Sequence, residues 1–139
     1  MPKQPKTANS LIRVSARNHA GLILMTELAQ SADFVSLRDV AGHMGLSQGF
    51  LEEVAADLKN AGLIKGRKGP GGGYCLAKAA GNITAEQILT ALEGPISLVA
   101  CHGGACPVAA ACASKSLWGF LQRDIIKSLK RTTLAEIVK

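Results

Sequence analysis

Apolar residues recur along this chain at helical spacing, interrupted once by a glycine-rich stretch that ends in alternation. The first periodic segment runs to about Gln30, with Ser15 placed as its N-cap and Leu22, Met25, Leu28 and Ala29 on one face. Gly21 weakens this helix locally and is expected to mark close packing. Ser36 opens a second helix, in which Leu37, Val40, Ala41 and Met44 repeat at i, i+3, i+4 and i+7. Asp39 stands at the capping-box position, and Gly45 stops the helix as a left-handed terminator. Ser47 opens a third helix at once, with Phe50, Leu51, Val54 and Leu58 inward and Asn60-Ala61-Gly62 at its close.

Helix, short glycine turn and helix make a helix-turn-helix, but also an ordinary helical hairpin. The next stretch separates the two. Lys65–Lys78 reads K-G-R-K-G-P-G-G-G-Y-C-L-A-K. Its Gly-Pro-Gly-Gly-Gly centre suits a tight reversal, basic residues precede the turn, and Tyr74 and Leu76 alternate after it. A short β-hairpin with a cationic tip, directly after three helices, is where a winged helix-turn-helix carries its wing.

Thr84 begins another short helix to about Leu92, with Gln87 at capping-box spacing, and Glu93-Gly94-Pro95 breaks it. Ser116 is placed as the cap of a long helix bearing Leu117, Phe120, Leu121, Ile125 and Leu129, widened by Trp118 and Ile126. So broad an apolar stripe suits burial against a twin subunit. Thr132 and Thr133 precede a last short helix with Leu134, Ile137 and Val138, whose apolar content favours docking.

The expected fold is therefore mainly α with a small β-hairpin. Residues 1–11 form a basic N-terminal arm and 12–95 a winged helix-turn-helix domain. Residues 96–115 form a cysteine-rich loop, and 116–139 the dimerisation helix and C-terminal helix.

The 139 residues carry a formal charge of +6, which suits a polyanionic partner. Aromatic residues make up only 4%, which argues against base stacking on an aromatic platform. No apolar run reaches the roughly 18 residues of a membrane span, so no membrane partner is expected. Met1–Ser10 lacks the apolar core of a signal peptide, and a cytoplasmic protein with reduced thiols is expected. Within the helix-turn-helix, Ser47, Gln48, Gly49 and Glu52 are the outward residues at the start of the recognition helix. Gln pairs with adenine, Glu accepts from a cytosine amino group, and a helix start binds phosphate.

Three thiols fall within twelve residues as Cys101-x4-Cys106-x5-Cys112, beside Gly103, Gly104 and Pro107. Soft thiolates select an iron–sulfur cluster, zinc or copper(I). Three are one short of the usual four, so a fourth ligand is needed from elsewhere in the chain, from a partner subunit, or from an exchangeable group. Cys75, alone in the wing arm, reads as structural.

Gly69-Pro70-Gly71-Gly72-Gly73-Tyr74, Ala91-Leu92-Glu93-Gly94-Pro95, the three-cysteine loop with Cys106-Pro107, and Leu117-Trp118 resemble the Rrf-two-type family of bacterial regulators. The resemblance runs from Ile12 to Lys139. It implies a homodimer on a palindromic operator in double-stranded DNA, paired through the long C-terminal helix. It also implies that Cys101, Cys106 and Cys112 hold an iron–sulfur cluster, 2Fe–2S or 4Fe–4S, that senses iron, oxidants or nitric oxide. DNA contact in the family falls on the recognition-helix start and the wing tip. Those positions are Ser47, Gly49, Glu52 and Lys68 here, and Gln48, Arg67, Gly71 and Gly72 complete the candidate set.

The fourth ligand departs from the family pattern. The iron–sulfur-biogenesis branch has a histidine three residues after its third cysteine, where this chain has Lys115. The nitric-oxide-sensing branch uses an acidic residue of the first helix, donated across the dimer, and His19 aligns with it. His19 of the second subunit is therefore the expected ligand, with His102 as its rival, while His43 reads as a surface residue. The competing functions are a zinc- or thiol-based redox regulator with the same DNA-binding half, and an iron–sulfur carrier or thiol enzyme. The last class explains neither the helix-turn-helix nor the basic wing, so no enzyme is expected.

Overall fold

A computed structural model describes residues 14–97 and 114–139. The N-terminal arm, Cys101, Cys106, Cys112 and His102 lie outside the described residues. The order of elements is α1 (Ala16–Gln30), α2 (Leu37–Met44), α3 (Gln48–Asn60), β1 (Ile64–Arg67) and β2 (Gly73–Leu76). A 3-10 turn at Ala80–Asn82, α4 (Ala85–Glu93), α5 (Ser114–Arg131) and α6 (Leu134–Ile137) follow.

The caps expected from the sequence are largely in place. Ser15 accepts a hydrogen bond from the Asn18 amide, and Ser47 accepts one from Phe50. Thr84 and Gln87 close a full capping box at 3.0 and 3.2 Å. Ser36 is the exception: it occupies the N-cap of α2 but its hydroxyl makes no capping bond. The entry of that helix is set one residue earlier. Val35 pairs its backbone N–H and C=O with Tyr74 on the wing, at 2.8 and 2.9 Å. The long helix also departs from expectation, since it begins at Ser114, two residues before the expected cap at Ser116. Nothing in Ser-Lys-Ser halts a helix, so the first turn extends back over it.

Leu24, Met25 and Leu28 of α1 pack with Val40 of α2 and with Leu51, Val54 and Leu58 of α3 in one core that excludes water. Ile83, Ile88 and Leu92 close it from the α4 side. Each fully buried side chain of this kind contributes about 1.5–3 kcal/mol. Leu134 is also fully buried there, so α6 docks on the same core. The Leu134 amide donates to Ile83, and that of Ala85 to Thr132, both at 2.8 Å. Gly21 packs closely, as expected: a Cβ there would overlap the Leu92 side chain. Met44, expected on the inner face of α2, is 39% exposed, because the chain leaves the core at its last turn. Leu117 and Phe120 of α5 are 53% and 55% exposed, an uncovered part of the apolar stripe.

Candidate nucleic-acid interface

The turn between α2 and α3 is Gly45-Leu46-Ser47. Gly45 is left-handed at φ 67°, which lets the Leu46 amide return to the Ala41 carbonyl at 3.1 Å. Leu46 packs against the core and anchors the corner, and Ser47 then starts α3 with Gln48, Gly49 and Glu52 exposed. The Ser47 hydroxyl accepts from Phe50, so the earlier amides at the helix start point outward without an intrahelical acceptor. These amides and the positive end of the helix dipole attract a phosphate.

Gly49 has no packing reason to be glycine. A Cβ there would meet only Ser47 Oγ, at 3.7 Å, an ordinary contact. Its bare backbone leaves room for a surface to approach. Gln48 Nε2 donates to Glu52 Oε1 at 3.4 Å along the exposed face, so the two expected base readers hold each other in the free protein.

The wing is an antiparallel pair with Ile64 opposite Leu76 and Arg67 opposite Gly73. The Gly72 amide bonds to the Gly69 carbonyl at 2.9 Å, and Gly71 follows Pro70 with φ 72°, the signature of a type II turn. Arg67 Nη2 donates to the Gly71 carbonyl at 2.8 Å, and its guanidinium lies 4.3 Å over the Phe34 ring. Arg67 therefore braces the turn while remaining exposed, and Lys68 stands exposed beside it. Gly72 has a structural role, since a Cβ would collide with the backbone carbonyls of Arg67 and Gly69.

Sequence reasoning missed the two residues behind the wing, Phe34 and Val35. Their signal was present, an aromatic and a β-branched residue ahead of the α2 cap, but too short to read as a strand. His43 is on the surface, as expected, yet its Nε2 lies 2.9 Å from Glu27 Oε1 on α1. The hydrogen bond to Glu27 raises its pKa above the ordinary histidine value, helped by the charges of Glu27 and Asp39.

His19 is exposed in the first turn of α1, with its amide bonded to the Ser15 carbonyl at 3.0 Å. Cys75 is a free, half-buried thiol in β2. Among the described residues no three histidines, cysteines or carboxylates gather as a metal site, and no helix is long and apolar enough to cross a membrane.

A family model named Rrf2, described as iron-dependent transcriptional regulator, matches residues 14–139. The transcriptional regulator IscR of Klebsiella pneumoniae is 29% identical over 130 residues, covering 91% of this chain and 80% of the relative. The structure of CymR, the global cysteine regulator of B. subtilis, superposes with a TM-score of 0.77 at 34% identity. That match covers 91% of this chain and 96% of CymR. IscR of T. potens superposes with a TM-score of 0.74 at 32% identity, covering 91% and 86% of the two chains. Fold, basic wing and relatives together define a winged helix-turn-helix regulator of transcription that binds DNA, not an enzyme. The chain belongs to the Rrf2 family.

Proposed function

We propose that this regulator is a cytoplasmic homodimeric repressor whose affinity for a palindromic operator is set by an iron–sulfur cluster. Cys101, Cys106 and Cys112 supply three thiolates, and His19 of the second subunit supplies the fourth ligand. When bound, the cluster provides a redox- and iron-sensitive bond set that holds the cysteine segment in one arrangement. The rest is work for the chain's own residues. Ser47 and the α3 amides seat a phosphate, Gln48 and Glu52 turn from each other toward base edges, and Lys68 neutralises a flanking phosphate. Two recognition helices must match half-sites about one helical turn apart, so a small change in their mutual orientation abolishes binding.

The observation that supports this reading is that the cysteine segment follows α4 and precedes α5 in the sequence. The last turn of α4 is bonded to the start of α1, two residues from the exposed His19. Asn18 Oδ1, beside His19, is buried with no hydrogen-bond partner among the described residues. The uncovered Leu117 and Phe120 favour pairing through α5.

The likeness to CymR, one of whose solved structures is an oxidised form from Staphylococcus aureus, supports a second reading: a thiol sensor without a cluster. Iron and acid-labile sulfide, assayed on protein purified without oxygen, separate the two. The cluster reading predicts matching iron and sulfide with visible thiolate-to-iron absorption, and destabilisation of that absorption by His19→Ala. Protein that stays colourless after reconstitution would set the cluster reading aside and leave a zinc- or thiol-based sensor.

A further inference from the structure

Three contacts fasten the last turn of α4 to the start of α1. Ser15 Oγ donates to Glu93 Oε1 at 2.8 Å, and Arg17 Nε donates to the Leu92 carbonyl at 3.4 Å. The Leu92 side chain fills the space over Gly21. Leu92 lies nine residues ahead of Cys101, so this turn is the root of the cysteine segment.

The other two nitrogens of Arg17 reach a different element. Nη2 pairs with Asp57 Oδ2, and Nη1 lies 3.9 Å from Glu53 Oε2, both on α3. One planar group on α1 thus touches the end of α4 and the recognition helix together. A guanidinium presents its donors as a rigid fork, whereas a lysine ammonium is a point charge unable to occupy all three positions. The Arg17 and Asp57 side chains are only 32% and 33% exposed, so water screens this pair less than it screens Glu53, at 69%. Glu53 and Asp57 belong to the helix whose first two turns carry Gln48 and Glu52. A helix is stiff, and Gln48 lies about 14 Å along the axis from Asp57. A small tilt imposed at Asp57 is therefore delivered at the base readers.

We propose that Arg17 is the positioning residue through which the state of the cysteine segment reaches the recognition helix. It does so by tying the last turn of α4 to Asp57. The proposal rests on the reading that this segment is the sensor. Movement at the root of the segment shifts the Leu92 carbonyl, the guanidinium follows, and α3 re-aims.

The test compares the anaerobically purified protein with its Cys101/Cys106/Cys112→Ser variant, each also carrying Arg17→Lys, Arg17→Gln or Asp57→Asn. Two quantities are read: affinity for a duplex that the wild type selects from a random pool, and hydrogen exchange of α3 amides. In the wild-type background, cysteine replacement is expected to change affinity at least tenfold and to alter α3 exchange. In all three variants that ratio falls to within twofold of one, and α3 exchange becomes the same in both states. A full tenfold ratio retained in Arg17→Gln and Asp57→Asn would overturn the relay and leave cysteine gating standing. A ratio of one with Arg17 intact would refute gating itself, and the relay with it. Asp57→Asn keeps the Arg17–Leu92 bond and weakens only the α3 arm, by removing the Asp57 charge, so it answers even if Arg17→Gln folds poorly.

Discussion

Val35 and Tyr74 pair their backbones in both directions, 39 residues apart, and so bolt the wing to the segment that enters the helix-turn-helix. Gly73 makes that pairing possible. Its φ is 146°, and a Cβ there would collide with the Val35 carbonyl. Gly73→Ala is expected to cost about 1–3 kcal/mol from backbone strain alone and to detach the wing from Val35. Urea denaturation reads the first effect and exchange of the Tyr74 amide the second. Unchanged protection at Tyr74 would show that the bridge does not depend on Gly73.

Two exposed glycines beside the turn separate stability from binding. A Cβ on Gly42 meets nothing within 4 Å, and one on Gly49 meets only Ser47 Oγ. Both sit in helices, so replacing either by alanine should stabilise the free protein by about 0.5–1 kcal/mol. Gly49→Ala is also expected to weaken operator binding severalfold, because its methyl group enters the approach surface at the recognition-helix start. Thermal melts and a DNA titration of each variant check this. Full affinity in Gly49→Ala would remove Gly49 from the interface.

Lys68 and Arg67 are neighbours with different work. Lys68→Ala should weaken DNA binding and reduce the slope of log affinity against log salt by about 1 per wing, with no loss of stability. Arg67→Ala removes the bond to Gly71 and the stacking on Phe34, so it should also destabilise the wing. Its bond to Gly71 is worth about 1.5–3 kcal/mol by the usual range for a charged donor, reduced here by exposure. Titrations at several salt concentrations, paired with melts, distinguish the two. A salt slope unaltered by Lys68→Ala would mean that Lys68 touches no phosphate.

The tie between His43 and Glu27 joins α2 to α1 and depends on pH. Because the folded-state pKa of His43 is raised, the stabilisation is fully present below the unfolded value near 6.5. It is lost as pH rises through the higher folded value. Wild type should therefore exceed Glu27→Gln in urea midpoint at about pH 6, with the gap closing in alkaline solution. Proton NMR should show a lower His43 pKa in Glu27→Gln. A gap independent of pH would assign the difference to something other than His43.

The helices and their caps were legible because each is a local pattern: a Ser or Thr, a periodic apolar face, a glycine or proline stop. Ser15, Ser47, Thr84 with Gln87, and Gly45 all act as their spacing implies. The wing was legible because its turn needs glycine at particular angles. Contacts joining distant segments were not legible. Nothing near Val35 announces Tyr74, and nothing near Arg17 announces Asp57 or Leu92, since both depend on how finished helices pack. Ser47, Gln48, Gly49 and Glu52 at the start of α3 face outward, as their spacing implies. That Gln48 and Glu52 hold each other followed from their i, i+4 spacing and was overlooked.

The most direct test of the account is operator affinity measured on one preparation in two states. The wild-type protein, purified without oxygen, is titrated with its selected duplex before and after the cluster is stripped by a chelator and an oxidant. Cluster gating predicts dissociation constants at least tenfold apart, with the change tracking loss of the visible absorption and reversing on reconstitution. Equal affinity in the two states, from protein shown to carry iron and sulfide, would contradict it.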